Sequence, residues 1–315
     1  MRSMGAGISM VESFTLRVSD EIPPFFVRPE YLYRPSQLGR RVWRQLNKST
    51  STRLVTLPWG VPLLVEPEEF IGGNIWRTGV YDLIVLEALI RLADPGELAL
   101  DVGANIGLMT SALAYAVGPT GHVISFEPHP DLVRRLQRNA ELWRSRLDWA
   151  HVVVDPVALS DSEAKASLTM PADFAKNRGR ATLEPGCPGE GLTVSTKTLD
   201  GVLGTDQFVG VIKIDVEGHE RSVLTGATNS LSSGQVRDIL FEEYNKYPTP
   251  VTRLLEAQGY QIFGLRKNIF APRLTPSSKL GMSLVTERTA NYLATRDPLR
   301  AARRLTSMGW QALRG

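Results

Sequence analysis

An apolar run that ends in an acid and two glycines is the part of this chain best suited to chemistry. Residues 98–107 read Leu-Ala-Leu-Asp-Val-Gly-Ala-Asn-Ile-Gly, and largely apolar, helix-favouring residues follow at 108–117. The pattern predicts a buried strand, a tight turn and a helix whose first N–H groups are free to meet a ligand. Gly103 and Gly107 would let the backbone approach that ligand where a Cβ would clash.

A second acid ends the next predicted strand. Residues 123–127 read Val-Ile-Ser-Phe-Glu, which places Glu127 20 residues after Gly107. An acid at about 20 residues from a glycine turn suits the paired hydroxyls of a nucleoside ribose. We therefore expect Glu127 to bind a ribose.

The glycine spacing bears on which nucleoside is bound. The dinucleotide fingerprint has three glycines, G-x-G-x-x-G, whereas residues 103–107 lack the middle one. A pyrophosphate needs that second close approach, and Asp101 would repel phosphates but attract an ammonium group. S-adenosylmethionine has an ammonium, a ribose and no phosphate, so the pattern favours it over a nicotinamide cofactor. A structural turn without a ligand is the other interpretation.

The second chemical centre lies at residues 211–220, which read Val-Ile-Lys-Ile-Asp-Val-Glu-Gly-His-Glu. Strand alternation places Lys213, Asp215 and Glu217 on one side. Central parallel strands are normally apolar on both faces, so charges inside one need partners. Lys213 can pair with Asp215 or with Glu242 of the next predicted strand, and a purely structural ion pair is also open.

Four acids end predicted strands. Ligands of open α/β sheets lie outside the carboxyl ends of the strands, where the strand order reverses. We therefore expect these side chains to converge on one rim: Asp101, Glu127, Asp215 and Glu242. Tyr81 and Arg77 precede the first of these strands, and either could cover a bound cofactor or lie on the ordinary surface.

Strands alternating with helices must position these residues. Such alternation predicts an α/β fold with a mostly parallel sheet and helices on both faces, interrupted by an inserted β-hairpin at 166–170 and 192–198. The predicted strands are 98–102, 122–126, 150–154, 210–215, 237–242, 260–264 and 282–286. The predicted helices are 36–47, 80–93, one from about 106, 130–143, 219–227 and 250–258, and a further strand pair is predicted at 53–65.

Composition bounds the class of protein. A chain of 315 residues with 43% hydrophobic and 22% charged residues is typical of a globular protein. A single cysteine, Cys187, excludes an internal disulfide and a cysteine-based zinc site and fits a reducing cytoplasm. We expect no transmembrane helix and no signal peptide, because no apolar run is long enough. A net charge of +3 gives no reason to expect nucleic-acid binding, and the oligomeric state stays open.

Basic residues concentrate near both ends of the chain. Arg40, Arg41 and Arg44 lie near the N-terminus, and Arg300 and Arg304 near the C-terminus, each group among apolar residues. Both segments read as short amphipathic helices. One interpretation is a helix packed on the domain with its charges solvated, and the other is weak contact with an anionic membrane surface or an anionic substrate.

Four motifs in order and spacing resemble the FkbM-type methyltransferases. They are Asp-Val-Gly-Ala-Asn-Ile-Gly at 101–107, Phe-Glu-Pro-His-Pro at 126–130, Ala-Leu-Ser-Asp at 158–161 and Lys-Ile-Asp-Val-Glu-Gly-His-Glu at 213–220. The resemblance covers about residues 75–245. It implies a Rossmann-like class I methyltransferase with a seven-stranded sheet, whose members mostly methylate hydroxyls of sugars, glycolipids, polyketides and other secondary metabolites.

The resemblance also implies roles for individual residues. The methionine side of the cofactor would be lined by Gly103, Ala104, Asn105 and Gly107. Glu127, followed by Pro128 in the same motif, would hold the ribose. Ala158 would lie near the adenine, and Asp215 near the transferred methyl. We accordingly divide the chain into a basic N-terminal extension at 1–55, a methyltransferase catalytic domain at 56–287 and a basic helical tail at 288–315.

Methyl transfer from a sulfonium asks mainly for alignment of an acceptor oxygen and a nearby base. Asp215 and Glu217 are candidate bases by position, beside the charged Lys213, and His219 is one by its ordinary pKa near 6.5. His219 could equally be a surface residue at a helix start. A divalent metal held by Asp215, Glu242 and Glu243 is a less favoured route, and we predict no metal site.

The sequence therefore predicts an S-adenosylmethionine-dependent O-methyltransferase that acts on a small-molecule or glycan hydroxyl in the cytoplasm. N-methylation and methylation of a protein or lipid are alternative reactions. A cofactor-binding scaffold without turnover is the alternative outside the enzymes.

Overall fold

The computed structural model describes residues 28–46, 50–146, 149–185, 191–280 and 291–314. Its strands are β1 Arg53–Thr56, β2 Pro62–Val65, β3 Leu98–Val102, β4 His122–Phe126, β5 His151–Asp155, β6 Ala158–Leu159, β7 Lys165–Thr169, β8 Thr182–Pro185, β9 Leu192–Lys197, β10 Val209–Ile214, β11 Val236–Glu242, β12 Gln261–Lys267, β13 Pro272–Pro276 and β14 Asn291–Thr295. Its helices are α1 Pro29–Leu32, α2 Ser36–Leu46, α3 Phe70–Thr78, α4 Leu83–Leu92, α5 Leu108–Val117, α6 Pro130–Arg146, α7 Leu199–Leu203, α8 Glu220–Thr225, α9 Thr228–Ser232, α10 Pro250–Ala257, α11 Ser277–Leu280 and α12 Pro298–Leu305. Single 3₁₀ turns lie at Arg178–Arg180 and Gln311–Leu313.

The main sheet has eight described strands in the order β13-β12-β14-β11-β10-β3-β4-β5. Strands β11, β10, β3, β4 and β5 run parallel, whereas β14 is antiparallel to both β11 and β12. The chain runs outward from β3 towards β5 and later from β10 towards β11, so the strand order reverses between β3 and β10. Such a switch point is where open α/β sheets bind ligands. The α/β prediction is confirmed, and the seven expected strands become eight.

Apolar residues cover both faces of this sheet. All six residues of β10 are buried, as expected for a central parallel strand. Helices α4 and α5 pack on one face, with Leu86 and Leu113 fully buried, and α8 and α10 pack on the other, with Val223 and Leu255 fully buried. The prediction of helices on both faces is confirmed.

The expected inserted hairpin is a four-stranded sheet in the order β6-β9-β7-β8. Strands β7 and β9 are the predicted pair, and they are antiparallel. β8 lies in the segment between these two strands, where no strand was predicted, and pairs with the free edge of β7. The hairpin prediction was wrong in this respect, because edge pairing depends on tertiary neighbours more than on the local composition of a short segment.

The C-terminal part of the chain contributes to the main sheet. β14 lies between β11 and β12, within the segment expected to be a helical tail. The strand predicted at 282–286 lies outside the described residues. Helix α12 is docked by its arginines, because Arg300 contacts Asp94 at 2.6 Å and the buried Asp238 at 3.0 Å.

Helix α2 near the N-terminus is docked in a similar way. The guanidinium of Arg44 lies 4.0 Å from the centre of the Trp76 ring and donates a hydrogen bond to the Trp76 carbonyl. Arg41 donates to the Tyr31 hydroxyl. None of the described helices combines the length and apolar content needed to cross a bilayer. Contact of α2 or α12 with an anionic membrane surface stays a prediction.

Candidate active site

A cavity of about 380 Å³ opens at the carboxyl ends of β3, β4 and β10. It brings together most of the residues predicted from the sequence. Those on its wall are Tyr81, Gly103, Ala104, Asn105, Glu127, Pro128, Ala158, Lys213, Asp215, Glu217 and His219. Asp101 and Gly107 are not among the lining residues, and Arg77 is not either.

Gly103 is required by the fold of the chain around it. Its φ of +80° lies in the left-handed region, and a Cβ at this position would overlap with the carbonyl oxygen of Asp215. Its own carbonyl accepts a hydrogen bond from Lys213 Nζ at 3.2 Å. The nearest group that a Cβ would meet is thus the protein's own backbone. Gly103 also lines the cavity, and its close approach to a ligand stays a prediction.

Gly107 also serves packing. It is the N-cap of α5 with φ +93°, and a Cβ would collide with Leu136 and Trp143 of α6. The glycine thus lets the start of α5 pack closely against the middle and the C-terminal part of α6. Gly107 does not line the cavity, and its place beside the cofactor stays a prediction.

Glu127 joins the glycine turn to the end of β4. Its carboxylate is buried and accepts the backbone N–H of Asn105 at 2.9 Å through Oε2 and that of His129 at 2.9 Å through Oε1. Burial raises the pKa of Glu127 to about 7 even though both N–H groups favour the charged form. Each carboxylate oxygen keeps a free lone pair, so the group can still accept from the hydroxyls of a ribose.

Asp101 lies behind the cavity and holds its lysine. Its carboxylate is completely buried, and Oδ2 accepts from Thr110 Oγ1 at 2.6 Å. Oδ1 lacks a hydrogen-bond donor and is 3.7 Å from Lys213 Nζ. Asp101 does not line the cavity, because its side chain on β3 is buried in the sheet. Its contact with the cofactor stays a prediction.

Lys213 is the buried cation of the site. Its Nζ pairs with Asp215 Oδ2 at 3.2 Å, which is one of the two partners expected for it. Burial lowers the pKa of Lys213, but the charges of Asp215 and Asp101 outweigh that effect and raise the pKa above its usual value. Lys213 therefore stays charged and holds Asp215 in place. β10 ends at Ile214, so Asp215 lies in the following loop.

Three acids line the cavity next to Lys213, and we call Asp215, Glu217 and Glu242 the acid rim. Asp82 lies beside them, on a smaller neighbouring cavity that Lys213, Asp215 and Glu242 also line. Asp82 and Glu217 have positive φ angles of 47° and 50°, which for non-glycine residues often accompanies a functional site. Burial, followed by repulsion from Asp215, raises the pKa of Asp82 to about 6 and that of Glu242 to about 7. The described residues contain no group of three or more histidine, cysteine or acidic residues placed to hold a metal ion.

Glu242 and Tyr244 add to the predicted site. Glu242 ends β11, and Ile214 and Phe241 are register partners, so Glu242 and Asp215 each follow one member of this pair and lie at the same end of the two strands. The Tyr244 hydroxyl donates to Glu242 Oε2 at 2.7 Å, and both residues line the cavity. The position of Glu242 at a strand end was the available signal, whereas Tyr244 had none.

His219 is buried, and its Nε2 lies 2.9 Å from Ser160 Oγ. The interpretation as a surface histidine was wrong, because the loop after β10 folds inward against β6. Burial lowers the pKa of His219, so the ring is neutral at physiological pH and joins the 158–161 motif to the start of α8.

Apolar and basic residues complete the wall. Phe70 and Tyr81 make an edge-to-face contact with ring centres 6.0 Å apart. The small sheet and its 3₁₀ turn supply Leu168, Leu183, Arg178 and Arg180. These residues lie far from the motifs in sequence, so no local pattern pointed to them.

The fold and the site define a class I methyltransferase, with a glycine turn and the buried Glu127 at the switch point of a Rossmann-like sheet. The Methyltransferase FkbM domain family matches residues 101–262, and the chain belongs to that family. This family depends on S-adenosylmethionine, and the predicted enzyme class is confirmed.

The chain is also similar to individual proteins. The hexuronic acid methyltransferase AglP of Haloferax volcanii is 31% identical over 190 residues, which cover 58% of this chain and 72% of that protein. The AMB antimetabolite synthetase AmbE of Pseudomonas aeruginosa is 27% identical over 233 residues, but the match spans 10% of it. The crystal structure of methyltransferase FkbM from Methylobacillus flagellatus KT is 17% identical with a TM-score of 0.41, over 70% of this chain and 52% of that one.

Proposed function

We propose that this protein transfers the methyl of S-adenosylmethionine to a hydroxyl of a sugar-type acceptor. The single observation that carries the proposal is the continuity of one cavity, which joins a buried ribose-type carboxylate, Glu127, to the acid rim around Asp215. The likeness to a hexuronic acid methyltransferase supports the acceptor class.

The residues present fit this cofactor. Glu127 offers lone pairs for the two ribose hydroxyls while its other contacts fix its orientation. Val157, Ala158, Leu168 and Leu183 supply an apolar wall suited to an adenine. The carboxylates of the acid rim lower the energy of a cationic centre nearby, which suits the sulfonium.

The reaction leaves the protein little covalent chemistry. The bound cofactor supplies an activated methyl on a positively charged sulfur. The acceptor oxygen forms the new bond to the methyl carbon, the carbon–sulfur bond breaks, and its electron pair stays on sulfur. The hydroxyl proton must pass to a base within hydrogen-bond reach.

Asp215 and Glu242 can share this task. Lys213 holds Asp215, which can then accept a hydrogen bond that orients the acceptor hydroxyl. Glu242 has a pKa of about 7, which is close to the optimum for a base at neutral pH. Tyr244 occupies one of its oxygens and leaves the other available.

The test is a panel of sugars, sugar phosphates, uronic acids and amines incubated with methyl-labelled cofactor, followed by mass spectrometry of the products. Methylated hydroxyls and release of S-adenosylhomocysteine are expected. A methyl on nitrogen would contradict the proposed acceptor class. Cofactor binding without any turnover, on this panel and on cell extract, would contradict catalysis and leave the scaffold alternative.

A further inference from the structure

A second cavity of about 230 Å³ adjoins the first. The two cavities share Asn105, Ile106, Leu132 and Arg178 as lining residues, so they lie on opposite sides of the same short wall. The second cavity lies between β2, the glycine turn and α6. None of the motifs accounts for it.

Arginines dominate the polar wall of this second cavity. Arg134, Arg135 and Arg138 come from α6, and Arg178 comes from the 3₁₀ turn of the small sheet. Residues spaced by three and four are neighbours on one helix face, where like charges repel. Three cations on one face are unfavourable unless an anion lies between them.

The acids of the cavity compensate only part of this charge. Glu66 pairs with Arg135 and, at 2.8 Å, with Arg178. The buried Glu69 is occupied by backbone N–H groups, one of them that of Gly72 at 2.6 Å.

The arginines Arg134 and Arg138 of the second cavity have little compensation by acids. Asp131 pairs with Arg134, but the two side chains are 52% and 65% exposed, and such pairs are weak. Arg138 is exposed and makes no ion pair within the described part of the chain. Arg134 and Arg138 can therefore turn to an incoming anion.

The two cavities differ in the sign of the charge on their walls. The acid rim of the first cavity carries three carboxylates next to Lys213 and repels an anionic group. An acceptor with an anionic substituent must therefore place its hydroxyl at the rim and its anion elsewhere. The arginines of the second cavity provide that place.

We propose that the second cavity binds a phosphate ester carried by the methyl acceptor. A phosphate has a charge near −2 and three terminal oxygens, so it can meet the forked guanidinium groups of Arg134 and Arg138 together. A carboxylate has only two oxygens, which one guanidinium group already engages. The position of the acceptor hydroxyl rests on the proposed function, whereas phosphate binding does not.

Calorimetry at low salt with glucose 1-phosphate, glucuronate and glucose tests this proposal on the full chain. Glucose 1-phosphate is expected to bind, and glucose is not. Arg138→Gln should weaken that binding about tenfold, as the loss of one charge-assisted contact predicts. Arg134→Gln should weaken it as well.

Arg144→Gln is the matched control, since Arg144 is exposed on the same helix but outside the cavity. It should bind glucose 1-phosphate like the unchanged protein. All three variants should keep their affinity for S-adenosylhomocysteine, which shows that they are folded.

Several outcomes would overturn the proposal. One is an equal loss in Arg144→Gln, and another is displacement of glucose 1-phosphate by S-adenosylhomocysteine, which would put the phosphate in the first cavity. Tighter binding of glucuronate would overturn the choice of phosphate. Phosphate binding as expected, with no hydroxyl methylated, would contradict only the proposed function.

Discussion

Glu127 and Asp215 line the same cavity but differ in their environment, and this difference suits them to different proposed roles. Glu127 is buried and fixed by two backbone N–H groups. Asp215 is partly exposed to the cavity and pairs with Lys213. A buried carboxylate with a fixed orientation suits binding of the cofactor. An accessible carboxylate suits contact with a methyl acceptor, which must enter and leave the cavity.

Glu127→Gln should weaken cofactor binding at least tenfold. The amide replaces one acceptor oxygen by a donor, and a hydrogen bond to a charged group contributes about 1.5–3 kcal/mol. Calorimetry with S-adenosylhomocysteine measures the change. Glu68→Gln, at an exposed position outside the cavity, should bind normally, and equal affinity in both variants would contradict the ribose role.

Cofactor affinity should also depend on pH through Glu127. Burial raises its pKa to about 7, so the carboxylate gains a proton as the pH falls through that value. The protonated group accepts less well, and affinity should fall between about pH 8 and about pH 6. The same titration of Glu127→Gln should be flatter, and identical pH profiles would refute the assignment.

Asp215→Asn and Glu242→Gln should each slow methyl transfer about 10²–10⁴-fold, the usual span for loss of a general base. Both substitutions keep the shape and remove the charge. Single-turnover rates on an identified acceptor test this, with cofactor affinity as the control. Glu243→Gln, at the residue that follows β11, should transfer the methyl at a nearly normal rate.

His219→Ala should cost less than tenfold in the same assay, because its Nε2 already contacts Ser160. A normal rate in Asp215→Asn and Glu242→Gln together with an inactive His219→Ala would make the histidine the base.

At the scale of elements, the site depends on how closely β3 and β10 are joined. Asp101 and Lys213 are register partners on these strands, and the Asp215 N–H donates to the Val102 carbonyl at 3.0 Å. Gly103 is the residue that allows this approach. The glycine therefore lets the ends of β3 and β10 approach each other closely.

Gly103→Ala should destabilise the fold itself. A Cβ would overlap with the Asp215 backbone, and overpacking typically costs about 1–3 kcal/mol in addition to about 1–2 kcal/mol for left-handed backbone. Gly60→Ala separates the two effects, since Gly60 has a φ of +84°, close to that of Gly103, and open space around it. Urea denaturation should show the larger loss in Gly103→Ala, and equal losses would exclude the steric effect.

At the scale of the whole molecule, the C-terminal segment closes the sheet and is held by a buried ionic network. Asp238 on β11 is fully buried and accepts from Thr295 of β14 at 2.6 Å, from Arg237 at 3.0 Å and from Arg300 of α12 at 3.0 Å. Arg300 also contacts Asp94. The basic residues of α12 are thus part of the fold.

Asp238→Ala should destabilise the protein by at most about 3–5 kcal/mol, because it removes the buried partner of Arg237 and Arg300. Arg237 keeps Glu97 and Arg300 keeps Asp94. Arg303→Ala, at an exposed position of α12, should change stability by less than about 0.5 kcal/mol. Urea denaturation measures both. Comparable stability of the two variants would show that the network does not hold α12.

The sequence alone determined the alternating core of the fold and the ends of its central strands. Apolar runs bounded by turns define β3, β4 and β10 locally. Glu127 is the next residue after β4 and Asp215 is the next residue after β10, so both lie at carboxyl ends of strands. The motifs around them indicated the family, and the match to residues 101–262 confirmed it. These features could be predicted because each depends on neighbours along the chain.

Only the tertiary structure decided the rest. Asp101 was turned into the sheet and His219 into a buried contact because packing between strands and loops selects one rotamer and one path. Contacts between residues far apart in sequence place β14 inside the main sheet. Such contacts also bring Arg138 and Arg178 to the same cavity. Such contacts depend on shape and burial in three dimensions, which local periodicity does not encode.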